Sequence, residues 1–546
     1  MDNDDRNATE TEAGGYPDMV EYPADVARAY REAGYWTGET LPGFIGRVCA
    51  EHGDAPCVTD ESGTLTYRQL IESADHAAQW LRESGIAPGD RVLIYMPNTV
   101  AFVEVFCAIL RVGAVPVLAL AAHGRAELVH VARHSGARLL VTEERKGMTD
   151  PLAIAETVAG EVGDLRVAAV GAPGARAWRA CGDEGEAPHE APPSSMALML
   201  LSGGTTGAPK LIPRTHDDYL YSVRESVDVC RLRKGDVMMI ALPCTHNFTL
   251  SAPGILGAMQ VGAEIVMAPD PSPATCLELV GRHRITHVAL VPPLLLAWLN
   301  SLDLAGSDLS SLRTVWVGGA KLSEAAARRV TPELGCRLQQ VFGMAEGLLN
   351  YTRLDDPDEV VEKTQGRPVS PADEVLVVDD GGEPVPAGTE GHLLTRGPYT
   401  IRGYYRAPDH NRRSFTDDGF YRTGDLVRVD ERGNITVTGR SKDIINRGGE
   451  KIAPELVENG LLTHPGVHDA SVVGIPDEVL GEKIRALVIP RSREEGQCPT
   501  PAQLRMHLRR HGLASFSIPD VIDLVDEFPF TAVGKVDKGN QRTGGR

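Results

Sequence analysis

The sequence contains no run approaching the roughly 18 uncharged apolar residues that cross a bilayer. Its opening stretch, Met1 to Gly15, is acidic and polar where a secretory leader would be basic and then apolar. The expectation is a cytoplasmic protein with no membrane partner. Cysteine is sparse: nine residues (Cys49, Cys57, Cys107, Cys181, Cys230, Cys244, Cys276, Cys336, Cys498), odd in number and never spaced Cys-x-x-Cys. That excludes a disulfide framework and a structural zinc site. Positive charge is also short, with 55 Lys+Arg against 75 Asp+Glu and a net charge of −20. No Lys/Arg cluster with interleaved aromatics occurs, so nucleic acid is excluded as a partner. The deficit is uneven. From Arg440 onward 15 basic residues balance 15 acidic ones, leaving all the negative excess upstream. Internal repeats are absent.

What is present is a chain of 546 residues with 42% hydrophobic content, too long for one ordinary core, so two or more domains are expected. Residues 1–15 read as a disordered acidic tail and Gly171 to Ser195, rich in Gly, Pro and charge, as a long exposed loop. Apolar runs at Arg91–Met96, Ala114–Leu120 and Arg138–Thr142 alternate with helical patterns such as Val100–Arg111, implying parallel sheet with crossover helices. His287–Val291 and Thr314–Val317 read as buried strands, the second leading to a helix capped by Ser323. Glu374 to Thr438 alternates as a mostly antiparallel module. After Gly439-Arg440 the runs Asp469–Val473 and Lys483–Ile489 and the helix Ala502–Arg510 form a small α+β unit. The boundaries expected are thus 16–439 for a large domain and 440–546 for a small one. The end, Lys538 to Arg546, lacks an apolar stripe and is expected to fray.

Chemistry concentrates in a few segments. Ser202-Gly203-Gly204-Thr205-Thr206-Gly207-Ala208-Pro209-Lys210 combines glycines, hydroxyls and one lysine, as a loop wrapping a triphosphate requires. The apolar strand Met196–Leu201 precedes it and Leu211–Thr215, containing Pro213, follows without helical period. The loop therefore joins two extended segments. A Walker A loop would end Gly-Lys-Ser/Thr and open a helix, so a P-loop kinase is excluded. Gln340 to Gly347 places Glu346 beside two glycines, a carboxylate suited to Mg²⁺ on a nucleotide. Tyr421-Arg422-Thr423-Gly424-Asp425 reads as a turn ending in an acid able to accept from both ribose hydroxyls. Gly439-Arg440-Ser441-Lys442-Asp443 adds an arginine, and Arg447 to Ile452 and Thr531 to Val536 complete the set, the latter holding Lys535 on a tight glycine turn.

In this order the segments resemble the adenylate-forming superfamily of acyl-CoA synthetases, luciferases and nonribosomal peptide adenylation domains, from about Gly34 to Lys538. The wording of Leu201–His216, Pro292-Pro293, Val317–Ser323, Gln339–Asp356, Gly397–Tyr405 and Ile445–Ala453 is most similar to stand-alone aryl-acid AMP ligases of siderophore and peptide-antibiotic assembly. The resemblance implies an α/β adenylate-forming fold: a large N-terminal domain of α/β subdomains plus a β-rich module, and a small mobile α+β C-terminal domain. It implies two steps: carboxylate plus ATP gives aryl-AMP and pyrophosphate, then a phosphopantetheine thiol on an aryl carrier protein takes the acyl group. In-line attack at the α-phosphate builds charge on oxygens, which calls for positioning and preorganised positive charge rather than a protein nucleophile.

Carried over, Ser202, Gly203, Gly204, Thr205, Thr206, Gly207 and Lys210 would hold the phosphates and Glu346 the Mg²⁺. Gly319, Ala320 and Val341 would take the adenine, Gly343, Met344 and Ala345 would belong to the ATP site, and Asp425 with Arg440 would bind the ribose. Lys535 would bridge the attacking carboxylate and the α-phosphate, its loss costing about 3 kcal/mol or more of transition-state stabilisation. Lys442 matches the hinge on which the small domain swings, withdrawing Lys535 and bringing Gly448-Gly449 to the pantetheine tunnel. Arg447 and Lys451, with Lys442, offer a docking face to an acidic carrier. The superfamily's usual Thr before the acidic residue is Ala345 here, an alanine shared by aryl-acid ligases, while the glycine-rich end leaves the family's last helix in question.

The acid pocket would be lined by His246, Asn247, Phe248, Ser251, Ala252, Gly318, Val341 and Leu349. His246 would line the carboxylate channel and Asn247 would hydrogen-bond an ortho hydroxyl. Dihydroxybenzoate ligases usually carry Ser where this chain has Ala252 and Val where it has Leu349, so a ring 3-hydroxyl would sit unpaired in apolar surroundings. The favoured acids are salicylate and 3-hydroxypicolinate, then 2,3-dihydroxybenzoate. An aryl-CoA ligase and a non-catalytic nucleotide-binding module are the alternatives; intact Lys210, Glu346, Asp425 and Lys535 speak against the second.

Overall fold

The computed structural model describes residues 18–144, 150–170, 187–202, 209–447, 450–477, 480–492, 498–511, 513, 515–531 and 535–543. The acidic tail, most of the loop 171–195, Gly203 to Gly207 and Gly448-Gly449 lie outside them. Among the described residues the strands form four sheets. The first runs in the order Arg166–Val170, Leu139–Glu143, Arg91–Tyr95, Val115–Ala119, Met196–Leu201, Leu211–Thr215, parallel except for the last pair. Those final two strands are the extended segments expected on either side of the glycine loop.

The second sheet has a parallel body: Arg337–Gly343, Thr314–Val317, His287–Leu290, Val237–Ile240, Glu264–Met267 and Pro56–Asp60. Strands covered on both faces are near-continuously apolar, which is how these segments read. Crossover helices lie between the two sheets. The helix Val100–Val112 is buried along its whole length, and its two charged residues are partnered there, Glu104 by the Ser73 hydroxyl and Arg111 by Asp75. Ser323 caps the helix Glu324–Leu334 by accepting from the Ala326 N–H at 3.3 Å.

The β-rich module is a four-stranded antiparallel sheet of Glu374–Val378, Gly391–Arg396, Tyr421–Val429 and Ile435–Arg440. The remaining sheet, built on the long pair Val467–Asp477 and Gly481–Pro490, packs the helices Pro454–Leu462 and Pro501–Arg510 around a core of its own that includes Val457, Leu461, Val472, Ile484, Leu504 and Leu508.

The C-terminal segment corrects the expectation of a frayed end. Lys538–Thr543 is a helix, held without an apolar stripe. Gln541 is buried and accepts from the Ser471 hydroxyl at 2.7 Å, Arg542 pairs with Asp443 at 2.8 Å and Lys538 with Glu458 at 2.8 Å. Polar satisfaction against the small domain replaces the burial that a sequence pattern detects.

Candidate active site

Residues from the parallel sheet ends, the β-rich module and the small domain come close to one another at one place. At the glycine loop, Ser202 and Lys210 close its neck: Ser202 N–H donates to Lys210 O at 2.9 Å and Lys210 N–H to Ser202 Oγ at 3.0 Å. The Lys210 ammonium lies 5.8 Å from the centre of the Tyr404 ring. Tyr404 then donates its hydroxyl proton to Glu346 Oε1 at 2.7 Å, and its oxygen lies 2.9 Å from that of Tyr421. Since Tyr404 spends its own proton on the carboxylate, Tyr421 donates to it. Two phenols in series therefore orient a carboxylate that is only 9% exposed.

The backbone beside Glu346 is fixed from the other side. Arg214, fully buried, pairs with Asp218 at 2.7 Å and donates to the carbonyls of Ala345 at 2.9 Å and Tyr399 at 3.2 Å. The sequence assigns no role to Tyr404, Tyr421 or Arg214, although all three lie in the segments singled out there, because they act across separations no local motif spans: 58 residues from Tyr404 to Glu346 and 131 from Arg214 to Ala345.

Asp425 does not end a turn. It sits inside the strand Tyr421–Val429, on a bulge where Gly424 adopts φ +75° and Thr423 to Asp425 face a single step of the partner strand. Thr423 stabilises the bulge by donating to Leu393 O at 3.0 Å while accepting from Asp425 N–H at 3.0 Å. A bulge re-aims a side chain, and here it leaves Asp425 buried opposite Arg440, whose Nε donates to Asp425 Oδ1 at 2.8 Å. Burial raises the Asp425 carboxyl pKa, and Arg440 and, more weakly, Lys535 pull it back down.

Lys535 comes from the small domain. Its backbone is fixed by Thr531, whose N–H donates to Lys535 O at 2.7 Å and whose hydroxyl accepts from Lys535 N–H at 3.2 Å. Its Cε lies 3.4 Å from the position a Cβ would occupy on Gly319. Burial together with the nearby Lys535 charge holds His246 down at about 4, so its imidazole is neutral. Phe248 N–H donates to His246 Nδ1 at 3.2 Å, which leaves the ring proton on Nε2. One ammonium thus lies within electrostatic reach of the ribose candidate, the acid-channel candidate and the exposed Gly319-Ala320 rim.

The apolar pocket candidates lie in the same core. Phe248, Ala252, Val341 and Leu349 belong to one buried cluster. Gly318 permits it: a Cβ there would lie 3.0 Å from Val341 O and 3.3 Å from Phe248 Cε1. Asn247 Oδ1 accepts from Tyr219 at 3.0 Å and Ser251 at 3.1 Å. The Ala252 carbonyl is taken by the Tyr351 hydroxyl at 2.6 Å. Gly343 pairs with Leu349 across a hairpin, and Met344 N–H donates to Leu348 O at 3.2 Å.

In the small domain, Lys442 lies in the 3₁₀ turn Ser441–Asp443 and Lys451 in the strand Glu450–Ile452. Arg447 is engaged within its own domain by both oxygens of Asp520, at 2.9 and 2.6 Å. Its charge is therefore less available for docking than the sequence suggested.

Mg²⁺ that travels with a triphosphate takes one or two carboxylates and fills its remaining positions with phosphate and water oxygens. Among the described residues there is no group of three His, Cys, Asp or Glu placed to hold a metal ion. A single oriented carboxylate with Lys210 beside it fits an ion arriving with the nucleotide. No helix among the described residues is long and apolar enough to cross a membrane.

Comparison with known proteins places the chain in a family. Residues 45–405 match the AMP-binding enzyme family and 456–535 the AMP-binding enzyme C-terminal domain. The chain is 46% identical over 520 residues to a 2,3-dihydroxybenzoate-AMP ligase of Bacillus subtilis, covering 95% of this chain and 96% of that one. It is 47% identical over 535 residues to a salicyl-AMP ligase / salicyl-S-ArCP synthetase of Mycobacterium tuberculosis, covering 96% and 94%. Among solved structures, apo MbtA of Mycobacterium smegmatis superposes with a TM-score of 0.73 at 44% identity, over 96% of this chain and 98% of that one. The chain belongs to the AMP-binding enzymes and has their adenylate-forming fold, a large N-terminal and a small C-terminal domain.

Proposed function

We propose that this protein activates an ortho-hydroxy aromatic carboxylic acid, salicylate or 3-hydroxypicolinate ahead of 2,3-dihydroxybenzoate, as its aryl-AMP. It then passes the acyl group to the phosphopantetheine thiol of an aryl carrier protein. The observation that carries this reading is the placement of Lys535 from the small domain against Gly319, within reach of both His246 and Asp425. That is where a cation must stand to act on a carboxylate and an α-phosphate at once.

In the first step the acid's carboxylate oxygen attacks the α-phosphorus, forming one P–O bond while the bond to the leaving pyrophosphate breaks. Lys535 draws the two anions together and offsets the charge gathering on the α-phosphoryl oxygens. Lys210 and the glycine loop take the phosphates, Asp425 and Arg440 orient the ribose, and the neutral His246 flanks the carboxylate without competing for a proton. Glu346 would hold a Mg²⁺ ion arriving with the nucleotide, which would supply charge neutralisation of the triphosphate. In the second step the thiol displaces AMP from the acyl carbon, giving a thioester. The domain boundary at Gly439-Arg440, with Lys442 as the pivot, lets the small domain turn between the steps. Aromatic preference rests on the buried apolar residues Phe248, Val341 and Leu349, and the bias against a 3-hydroxyl rests on Ala252, whose carbonyl already accepts from Tyr351.

The test separates the half-reactions. Lys535→Ala lowers pyrophosphate exchange by roughly a hundredfold or more while leaving thioester formation from supplied aryl-AMP largely intact. Equal loss in both would refute the assignment. Supplying CoA in place of the carrier distinguishes an aryl-CoA ligase by turnover without carrier.

A further inference from the structure

Two histidines that lie in none of the sequence motifs hold the backbone of the nucleotide site. The helix Arg125–Ser135 buries Leu128, Val129, Val131 and Ala132 in a core shared with Leu211 and Tyr405. His130 and His134 stand four residues apart on that helix, hence on one face of it. Their rings stack, with centres 5.5 Å apart and planes at 12°. Each brings its Nε2 to a backbone carbonyl, His130 to Pro209 O at 3.2 Å and His134 to Tyr405 O at 3.0 Å. A carbonyl only accepts, so both Nε2 atoms donate. Pro209 precedes Lys210 and Tyr405 follows Tyr404, the two residues whose ammonium and ring centre lie 5.8 Å apart. The same two segments share the backbone bond from Tyr405 N–H to Leu211 O at 3.0 Å. Arg406, next in the chain, adopts φ +50°, a conformation that a residue other than glycine keeps only where its surroundings fix it. His134 holds the peptide that enters that residue.

We propose that His130 and His134 are positioning residues that hold Lys210 against Tyr404, setting the reach of its ammonium toward the β- and γ-phosphates. The inference rests on the adenylation reading above, in which Lys210 takes the phosphates. Both histidines act through carbonyls one residue away from the side chains they place, so their loss moves Lys210 and Tyr404 without removing either. Aryl-AMP has no β- or γ-phosphate, so the second half-reaction does not call on this placement.

The experiment measures KM for MgATP and for the aromatic acid in pyrophosphate exchange, and thioester formation from supplied aryl-AMP. It compares the wild type with His130→Leu and His134→Leu, and with His130→Gln and His134→Gln, which keep an N–H donor, with thermal melts alongside. Leucine is a better helix former than histidine, so the Leu variants should fold. Losing one such hydrogen bond is expected to raise KM for MgATP about fivefold, with KM for the acid and the thioester step unchanged, and the Gln variants should return toward the wild type. A merely structural role depresses both half-reactions together. In a Lys210→Met background His130→Leu should add little, since residues acting through one contact are not additive. A full fivefold effect in that background, an unchanged KM for MgATP in the folded Leu variants, or equal loss in both half-reactions overturns the inference while leaving the proposed function standing. A wild type that forms no aryl-AMP with any aromatic acid overturns both, and that result is read before any variant is compared.

Discussion

Tyr404→Phe isolates one hydrogen bond in the nucleotide site. The ring stays, so the Lys210 contact at 5.8 Å is retained, while Glu346 loses the 2.7 Å bond to Oε1 that orients it. A hydrogen bond to a charged group is worth about 1.5–3 kcal/mol, and removing a partner that orients a metal-binding carboxylate costs about 10–100-fold in metal affinity. Tyr421, whose oxygen lies 2.9 Å from that of Tyr404, remains nearby to donate in its place, so the lower end applies. The Mg²⁺ concentration for half-maximal pyrophosphate exchange at fixed ATP should therefore rise about tenfold. The rate at saturating Mg²⁺ should be restored. Tyr404→Ala, which also removes the ring from Lys210, should raise the KM for ATP as well. An unchanged Mg²⁺ dependence in a folded Tyr404→Phe protein would refute the assignment of Glu346 and its phenolic relay.

Arg214→Met strands Asp218 as an uncompensated buried charge and unties Ala345 and Tyr399. The expected loss is about 3–5 kcal/mol, read as a lower denaturation midpoint. Gly319→Ala must adopt φ +85° with its Cβ 3.3 Å from Val291 and 3.4 Å from Lys535. Stability should fall by about 1 kcal/mol, and pyrophosphate exchange should fall further than supplied aryl-AMP turnover, because only the first uses Lys535; parallel losses would contradict this. Burial pushes the Asp373 carboxyl up to about 8 even though it accepts from Tyr399 at 2.5 Å. Its unfolded value is about 3.9, so folding is favoured by this group at low pH, and that contribution is lost as pH rises through the folded pKa, about 1.4 kcal/mol per pH unit. Asp373→Asn has no such slope and should gain thermal stability relative to wild type steadily from pH 4 to 8; a constant difference across that range would contradict the burial argument.

Much of this architecture is legible in the sequence where burial alone dictates pattern. The strands Arg91–Tyr95, Leu139–Glu143 and Thr314–Val317 fall within a residue of the apolar runs, since strands covered on both faces tolerate little else. Asp425 shows where local reading stops. Thr-Gly-Asp has turn chemistry, but Gly424 uses its freedom for a bulge inside a long strand, a choice settled by the partner strand and Leu393. The terminal helix was missed because Gln541 and Arg542 hold it by partners 70 and 99 residues away. The side chains that aim the functional ones were missed for the same reason. Tyr219 reaches Asn247 across 28 residues and Tyr404 reaches Glu346 across 58, and neither tyrosine differs in sequence from an ordinary core aromatic.

The central claim is that these segments form one site that joins an aromatic carboxylate to AMP. Its most direct measurement is pyrophosphate exchange by the purified protein with Mg-ATP across salicylate, 3-hydroxypicolinate, 2,3-dihydroxybenzoate and 3-hydroxyanthranilate, with the acyl-adenylate identified by mass. The account predicts aryl-AMP formation, fastest with salicylate or 3-hydroxypicolinate. A clear preference for 2,3-dihydroxybenzoate would contradict the roles given to Ala252 and Leu349, and no acyl-adenylate with any aromatic acid would contradict the whole.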